Sequence, residues 1–232
     1  MSFLRVMFAT LIFCAIATAQ TVSPVIVEYK GAGAGKIALT NNTQTPLAVT
    51  LQPQSFGITP EGKGKYVSLD PHIHVKLSAT SARLMPGQTY YVFYKAKADK
   101  YPAWFTIFSE FSAPRHENGI DVRIVLPHTV YLYQKERIQK SDIQIKSASY
   151  DLDKHTINCE IQNVSDRLAR AQSASATGPH SSTEAGGFPL LPGGTRHLEL
   201  DWKANHSPKE FELTFEHFRL TSPITTNPAA AQ

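Results

Sequence analysis

The sequence is poor in cysteine, in charged residues and in glycine. Its 232 residues include 2 cysteines, 13 glycines and 18% charged side chains. So few cysteines exclude a disulfide-stapled miniprotein, and so little glycine excludes a collagen. The apolar share of 42% is too high for a disordered chain. We therefore predict a soluble globular protein with one large domain or two small ones.

Positive charge is in mild excess, with 23 Lys and Arg against 19 Asp and Glu. The densest basic clusters, at 95–100 and 135–140, are short and typical of solvated strand faces or linkers. Nucleic-acid-binding proteins concentrate more Lys and Arg into one stripe. We therefore predict no nucleic-acid partner.

The N-terminal segment has the pattern of an export signal. Arg5 precedes an apolar run from Val6 to Ala17, and the run ends in the small residues Ala17-Thr18-Ala19. This order is typical of a secretory signal peptide, and the run is shorter than the roughly 20 residues that span a membrane. We expect residues 1–19 to be cleaved; the alternative is an uncleaved membrane anchor.

Cleavage after Ala19 would remove Cys14 and leave Cys159 as the single cysteine. One cysteine cannot form an internal disulfide, so the core alone must stabilise the exported chain. Cys159 lies in an alternating stretch, 156–161, and is predicted to be a buried strand residue.

Short runs of β-branched and aromatic residues recur along the chain, and no helical period is sustained. The predicted strands of the first half are 22–28, 36–40, 47–52, 73–77, 90–94, 104–111 and 120–133. Strands of this number and spacing suit an antiparallel sandwich. Four further runs predict a second, smaller β domain: 143–148, 156–162, 197–202 and 211–220.

The charged segment 135–141 is predicted to link the two domains. It separates an N-terminal domain, 20–134, from a C-terminal domain, 142–221. Within the second domain the Ser- and Ala-rich stretch 171–187 is interpreted as a long loop. Residues 222–232 are expected to form a flexible tail.

The last predicted strand of the first domain has the pattern of an apolar edge strand. Asn118-Gly119 favours a tight hairpin turn, so the strands on either side of it should pair. Four apolar residues then share one face of the second strand: Ile120, Val122, Ile124 and Leu126. Pro127 cannot donate to a ladder, which predicts an edge position or a bulge and an interruption of the pairing. Such an edge is an aggregation hazard unless something covers it.

No catalytic or cofactor motif is present in the sequence. The glycine segment 31–36 departs from a phosphate-binding loop on both flanks and is interpreted as a flexible connection between strands. His72 and His74 would share one strand face and could bind a metal, but no third or fourth ligand has a recognisable spacing. Nucleophile-elbow and zinc-protease motifs are lacking. We therefore expect no enzyme activity, no cofactor and no metal.

Three Asn-x-Ser/Thr sequences occur, at Asn41, Asn163 and Asn205. They would serve as glycosylation acceptors only in a eukaryotic secretory route.

Several segments, taken in order, resemble the periplasmic pilus-assembly chaperones of the PapD-like family. They match an opening strand pair, a Pro-Gly turn, a Phe-x-Ile-x-x-Glu strand, a closing strand and two turns of the second domain: 22–28 with 36–42, 84–88, 105–110, 124–132, 162–165 and 190–196. The resemblance covers nearly all of the chain after the signal. It implies an all-β fold of two immunoglobulin-like β-sandwich domains and a location in the periplasm.

The resemblance also implies a role for the apolar edge strand. In these chaperones that strand fills the groove of an incomplete pilin subunit, which is donor strand complementation. The residues expected to contact the subunit are Ile120, Val122, Ile124 and Leu126. The implied function is to bind and cap fimbrial subunits during pilus assembly, fimbrial biogenesis and cell wall organisation. The implied partners are those subunits and an outer-membrane usher, with no membrane insertion after signal cleavage.

The sequence departs from the family at the site for the subunit's terminal carboxylate. The family holds that group between an Arg of the first strand and a Lys of the last. Segment 21–28 contains no basic residue, and the expected Lys position falls near 128–130. The nearest basic residues, Arg123 and Lys135, lie at neither matching place. The alternative prediction is therefore a secreted β-sandwich binding or envelope-structure module that has the chaperone fold without the clamp.

Overall fold

The computed structural model describes residues 20–113 and 123–227. Within those ranges the regular elements are strands and one short 3-10 turn, Lys140–Asp142. No helix in the described ranges is long and apolar enough to cross a membrane. The signal peptide predicted at 1–19, the Asn118-Gly119 turn and residues 228–232 of the predicted tail lie outside the described residues.

The first half of the chain forms two facing sheets. Its strands are β1 (Thr21–Ser23), β2 (Ile26–Lys30), β3 (Gly33–Thr40), β4 (Leu47–Ile58), β5 (Gly64–Ser68), β6 (Ile73–Leu77), β7 (Ser81–Leu84), β8 (Thr89–Ala98), β9 (Ala103–Ser112) and β10 (Arg123–Tyr133). One sheet has the order β1-β3-β8-β6. The other has the order β2-β10-β9-β4-β5, and β7 pairs with β4 beside it.

Alternation of side chains along the strands produces the first core. In β8, Val92, Tyr94 and Ala96 are buried, whereas Tyr91 and Phe93, which alternate with them, are exposed. Successive side chains of a strand point to opposite faces, so one face of each sheet is apolar and meets the other sheet.

The glycine segment between the first strands is partly a strand and not a flexible connection. β3 begins at Gly33, and Gly35 lies within it. A side-chain carbon at Gly33 would overlap the ring of Tyr29, and one at Gly35 would lie 2.5 Å from the Tyr29 hydroxyl oxygen and 2.7 Å from that of Tyr94. Glycine is therefore required here because two tyrosines cross the strand closely, and the turn itself falls at Gly31, whose φ is 78°.

The second half of the chain forms another pair of sheets. Its strands are β11 (Ile143–Asp151), β12 (Thr156–Asn163), β13 (Ala169–Thr177), β14 (Ser182–Leu190), β15 (Thr195–Asp201), β16 (Glu210–Thr214), β17 (Arg219–Pro223) and β18 (Thr225–Asn227). The sheet orders are β15-β12-β11-β18 and β14-β13-β16-β17. The predicted all-β fold of two immunoglobulin-like sandwiches is confirmed. Cys159 is buried in β12, at 3% exposure, and burial raises the pKa of its thiol to about 12.

The predicted loop at 171–187 is wrong, because the segment forms the hairpin of β13 and β14. The two strands pair from Ala169 opposite Leu190 to Thr177 opposite Ser182. Ala171, Ala174 and Ala176 are fully buried in the same core as Trp202 and Phe211. Alanine has a low strand propensity, so the segment lacks the β-branched signal, yet its small side chains leave room for the large rings of the core.

The predicted flexible tail is wrong for residues 222–227. Ser222 and Pro223 pair with β16, and β18 pairs in parallel with β11, with Ser149 opposite Thr225. Pro223 ends β17 at an edge of its sheet, a position that a residue without an N–H can occupy.

A buried asparagine joins two turns of the first sandwich. Asn41 is fully buried, and its Nδ2 donates to the main-chain carbonyl oxygens of Thr45 at 2.8 Å and Leu84 at 3.1 Å. Its Oδ1 accepts from the N–H of Thr43 at 3.0 Å and from the hydroxyl of Thr43 at 2.6 Å. All the hydrogen-bonding capacity of this amide is therefore used inside the fold.

The second sandwich repeats the same arrangement. Asn163 is fully buried and donates to the carbonyl oxygens of Arg167 at 2.6 Å and Leu190 at 3.0 Å. Its Oδ1 accepts from the N–H and the hydroxyl of Ser165, at 3.1 and 2.8 Å. The accepting carbonyls, Leu84 and Leu190, each precede a Pro-Gly turn whose glycine has a positive φ. Each sandwich thus contains its own corner built around a buried asparagine, and the two corners have the same pattern of hydrogen bonds.

Candidate functional site

Strand β10 has one hydrogen-bonding side that is only partly occupied. It pairs antiparallel with β9 along its length, from Arg123 opposite Ser112 to Leu132 opposite Ala103. Its other side pairs in parallel with β2 only at 129–133. Among the described residues, the segment 123–128 therefore has an open edge, in agreement with the edge strand expected from the sequence.

The main-chain groups that face this open edge follow from the pairing with β2. The N–H of Thr129 donates to the carbonyl oxygen of Val25 at 2.7 Å, so residues of the same parity point to that side. These are Arg123, Val125 and Pro127. The proline therefore turns its missing N–H away from β9, and its ladder with Phe108 continues. Our prediction that Pro127 interrupts the pairing is wrong for this reason.

The structure places two of the four predicted subunit-contacting residues. Ile124 and Leu126 lie on the inner face of β10, partly buried against the first core. Ile120 and Val122 lie outside the described residues. Val125, on the opposite face of β10, is 51% exposed and belongs to no core cluster. The predicted set of subunit-contacting residues stays a prediction. Val125 is a further exposed apolar residue of this strand, and the sequence pattern did not indicate it because only the apolar residues of the other face were considered.

A buried histidine fixes β10 just beyond the open edge. His128 is fully buried, its Nδ1 lies 2.6 Å from the carbonyl oxygen of Pro24, and its Nε2 lies 3.1 Å from the Tyr94 hydroxyl. A carbonyl oxygen only accepts, so Nδ1 carries the proton and Nε2 accepts from Tyr94. The Tyr94 hydroxyl lies 2.9 Å from that of Tyr29 and accepts from it. This chain of hydrogen bonds links β10 to β8 in the facing sheet and to β2 in its own sheet. Burial lowers the pKa of His128, although its hydrogen bond to Pro24 opposes the shift.

The stability of the first sandwich is expected to fall as the pH drops below about 6.5, the usual pKa of histidine. In that window the unfolded chain binds a proton at His128 while the folded chain does not, so acid favours unfolding until the folded pKa is reached. The contribution to the slope is at most about 1.4 kcal/mol per pH unit. Urea unfolding at several pH values should show a shallower slope for His128→Gln. An unchanged slope in His128→Gln would contradict the assignment.

A cleft between the two sandwiches opens beside β10. Phe56 and Tyr131 of the first sandwich pack with Leu168 of the second, and burial raises the pKa of Tyr131 to about 12. The side chain of Gln134 donates to the carbonyl of Leu168 at 3.3 Å and accepts from its N–H at 3.1 Å. These contacts hold the end of β10 against the start of β13 in the second sandwich.

The cations of this cleft come from the second sandwich. Arg170 and Arg196 line a cavity of about 250 Å³ together with Thr129 and Tyr131 of β10. Nη1 of Arg170 forms an ion pair with Glu28 Oε1 at 3.2 Å, but the two groups are not in hydrogen-bonding orientation and this buried nitrogen has no hydrogen-bond partner. The sequence has no basic pair on the first and last strands that would bind a carboxylate. No local pattern in it indicated that Arg170 and Arg196 would line the same cavity.

Arg196 is held in the cleft by a glycine and an aromatic ring. Its guanidinium occupies the space where a side chain at Gly62 would lie, and it stands 5.6 Å from the ring centre of Phe188. Its Nε is buried and has no hydrogen-bond partner. Burial lowers the pKa of Arg196, and the charge of Glu61 opposes the shift. A buried guanidinium nitrogen without a hydrogen-bond partner favours binding of an anion such as a carboxylate.

Arg123 and the pair His72 and His74 lie outside this cleft, whereas Lys135 lines a second cavity between the sandwiches, of about 420 Å³, together with Gln134 and Leu168. Arg123 pairs with Glu110 on the surface at 3.2 Å. His72 and His74 both bond the carboxylate of Asp99, at 3.1 and 2.9 Å, and these hydrogen bonds lower its pKa. Among the described residues, no group of three or more potential ligands is arranged to hold a metal ion.

Comparisons with solved structures identify the same architecture in chaperones. The SafB chaperone of Salmonella enterica, solved with the SafA pilin, is 11% identical and matches 89% of this chain and 96% of its own, with a TM-score of 0.56. The YadV chaperone is 11% identical over 88% of this chain and 98% of its own, with a TM-score of 0.53. The class 5 fimbriae chaperone CfaA is 11% identical over 89% and 99%, with a TM-score of 0.51.

The fold is therefore that of the two-sandwich fimbrial chaperones. The likeness to PapD-like chaperones predicted from the sequence is confirmed at the level of the fold. No protein-family model matches the chain, and no curated protein matches it.

Proposed function

We propose that this protein is an exported chaperone that caps subunits of a surface fibre by pairing the open edge of β10 with them. The observation that carries the proposal is the segment 123–128, which pairs with β9 on one side and with no described strand on the other. An incoming extended segment would continue the sheet there through main-chain hydrogen bonds. The chaperone fold of the chain supports this assignment.

Side chains of the donated strand would fill pockets of the subunit. Each fully buried aliphatic side chain stabilises such a contact by up to about 1.5 to 3 kcal/mol before ordering costs are subtracted. Ile120, Val122, Ile124 and Leu126 are the proposed contact residues. Ile124 and Leu126 already pack partly on the first core, so they contribute only their exposed remainder.

The cleft would receive the carboxylate end of the subunit. Arg196, whose Nε is buried and has no hydrogen-bond partner, supplies positive charge that the first strand lacks, and Arg170, which is ion-paired with Glu28, lines the same cavity. This replaces the Arg and Lys pair of the family by two arginines of the second sandwich. Export to the periplasm through residues 1–19 and transfer to an outer-membrane usher complete the proposal.

The test is co-expression with a candidate fibre subunit and recovery of soluble subunit. Val125→Pro removes an N–H that faces the open edge, whereas the pairing with β9 keeps its hydrogen bonds because they come from the alternate residues. We expect recovery to fall about tenfold or more, since one hydrogen bond is lost and the ring obstructs the approaching strand. The control Val125→Thr keeps the N–H and should retain recovery.

A second variant tests the side-chain contacts. Val122→Asp combined with Ile124→Asp would place two charges in the subunit pockets and should abolish recovery. Because Ile124 also touches the first core, urea unfolding of the double variant must be measured in parallel. Undiminished recovery from both Val125→Pro and the double variant would overturn the proposal.

The alternative of a secreted binding or envelope-structure module is not favoured. The three solved structures described above are chaperones, and the cleft holds cations despite the missing first-strand arginine.

A further inference from the structure

The outer face of the sheet β1-β3-β8-β6 carries positive charge only. Its four strands contain four lysines and no acidic residue. Lys36, Lys76, Lys95 and Lys97 are all exposed on the side facing away from the core. Asp99 directly follows β8 and is already bonded to two histidines. The face therefore has a strong local charge although the whole chain has a net charge of only +4.

The lysines oppose one another across the strands. Lys76 lies directly opposite Lys95, and His74 lies opposite Lys97. Like charges in directly opposed positions destabilise a sheet. In the described part of the protein, Lys76, Lys95 and Lys97 form no ion pair that would offset this repulsion. An external anionic partner would remove the destabilising term.

Two exposed aromatic rings lie beside the lysines. Phe93 is 58% exposed and Tyr91 is 49% exposed. Lys36 stands opposite Phe93, and its Nζ lies 5.0 Å from the ring centre of Tyr91. Two open grooves of about 770 and 560 Å³ meet at Lys76 and Lys95. Lysines and rings thus form one continuous surface across three strands.

The residue types decide between a protein partner and a lipid surface. Protein interfaces are enriched in Arg and depleted in Lys, whereas every cation on these strands is Lys. Lysine acts as a flexible point charge, which suits phosphate groups with no fixed positions. Aromatic side chains beside cationic residues are typical of protein surfaces that lie at a membrane interface. We propose that this face, through Lys36, Lys76, Lys95, Lys97, Tyr91 and Phe93, docks peripherally on an anionic lipid surface.

The test is co-sedimentation of the purified protein with vesicles of phosphatidylcholine, with and without phosphatidylglycerol, at low and high salt. Each lysine near an anionic surface strengthens binding roughly fivefold, so Lys76→Gln combined with Lys95→Gln should weaken binding about 25-fold. Phe93→Ser should weaken it about tenfold. High salt should release the wild type.

The matched control is Lys203→Gln combined with Lys209→Gln, which removes the same charge from exposed positions of the second sandwich and should leave binding nearly unchanged. Misfolding is excluded by a second readout. Relief of the opposed lysines in the Lys76 and Lys95 variant should raise the unfolding temperature by about 1 to 3 °C.

Three results would overturn the proposal. They are equal binding of the wild type to both kinds of vesicle, unchanged binding of the Lys76 and Lys95 variant, and binding to poly-glutamate without binding to phosphatidylglycerol vesicles. The last result would assign the face to an acidic protein. None of these outcomes depends on capture of a fibre subunit.

Discussion

Asn41→Asp is expected to unfold the first sandwich, with a loss of at least about 3 kcal/mol in the free energy of unfolding. The new carboxylate cannot donate, and it would face the carbonyl oxygens of Thr45 and Leu84, which now accept from the amide at 2.8 and 3.1 Å. Both carbonyl oxygens would lose their donor, that of Leu84 inside the core, and a charge would be buried without a cation. Because Asn163 has the matching bonds, Asn163→Asp should unfold the second sandwich in the same way.

The two tryptophans allow each sandwich to be followed separately. Trp104 lies in β9 of the first sandwich, and Trp202 is buried in the core of the second. In a Trp202→Phe background the fluorescence of Trp104 reports on the first sandwich, and in a Trp104→Phe background Trp202 reports on the second. Urea unfolding should show the loss of stability caused by Asn41→Asp in the Trp104 signal. Asn158→Asp is the matched control, because Asn158 lies on β12, is only partly buried and makes one long bond of 3.4 Å to Thr156. A wild-type midpoint for Asn41→Asp would contradict this account of the corner.

Gly35→Val should destabilise the first sandwich by about 2 to 4 kcal/mol. A side-chain carbon at this position would lie 2.5 Å from the Tyr29 hydroxyl oxygen and 2.7 Å from that of Tyr94. Valine would therefore separate two hydroxyl groups that now lie 2.9 Å apart, and it would disturb the bond from Tyr94 to His128. Overpacking costs about 1 to 3 kcal/mol, and each lost hydrogen bond adds about 0.5 to 1.5 kcal/mol.

The control for this effect is Gly57→Val in β4. No atom lies within 4 Å of a side-chain carbon at Gly57, so valine should be tolerated there or should stabilise the strand slightly. The measurement is the urea midpoint of the Trp104 signal. Equal midpoints for the two variants would show that the tyrosines adjust freely and that the glycine is not required.

Local patterns in the sequence predicted those parts of the fold that depend on alternation. The predicted strand 73–77 coincides with β6, and the predicted strand 104–111 falls one residue short of β9 at each end. β-branched and aromatic residues signal such strands directly. The hairpin of β13 and β14 was missed because its strands contain alanine, serine and glycine, and only the large rings of the opposite sheet make them fit.

Only the part of the candidate site that lies on a single strand could be predicted from the sequence. The open edge of β10 followed from an apolar alternation that ends at a proline, and the ladder confirms that Pro127 faces the open side. The cleft cations were not predictable, because Arg170 and Arg196 lie far along the chain from β10 and meet it only through the contact between the sandwiches. Pairing in space has no local signature in a single sequence.

The buried asparagine corners restrict how the protein can be produced. Asn41 and Asn163 both match the acceptor sequence for N-linked glycans, yet both are fully buried and use their amide groups inside the fold. A eukaryotic secretory host modifies such asparagines with a bulky sugar, which neither corner can accommodate. Asn205 is exposed and could carry one. Production in such a host should therefore trap unfolded, glycosylated chains, whereas a bacterial host, which leaves these sequences bare, allows both corners to close.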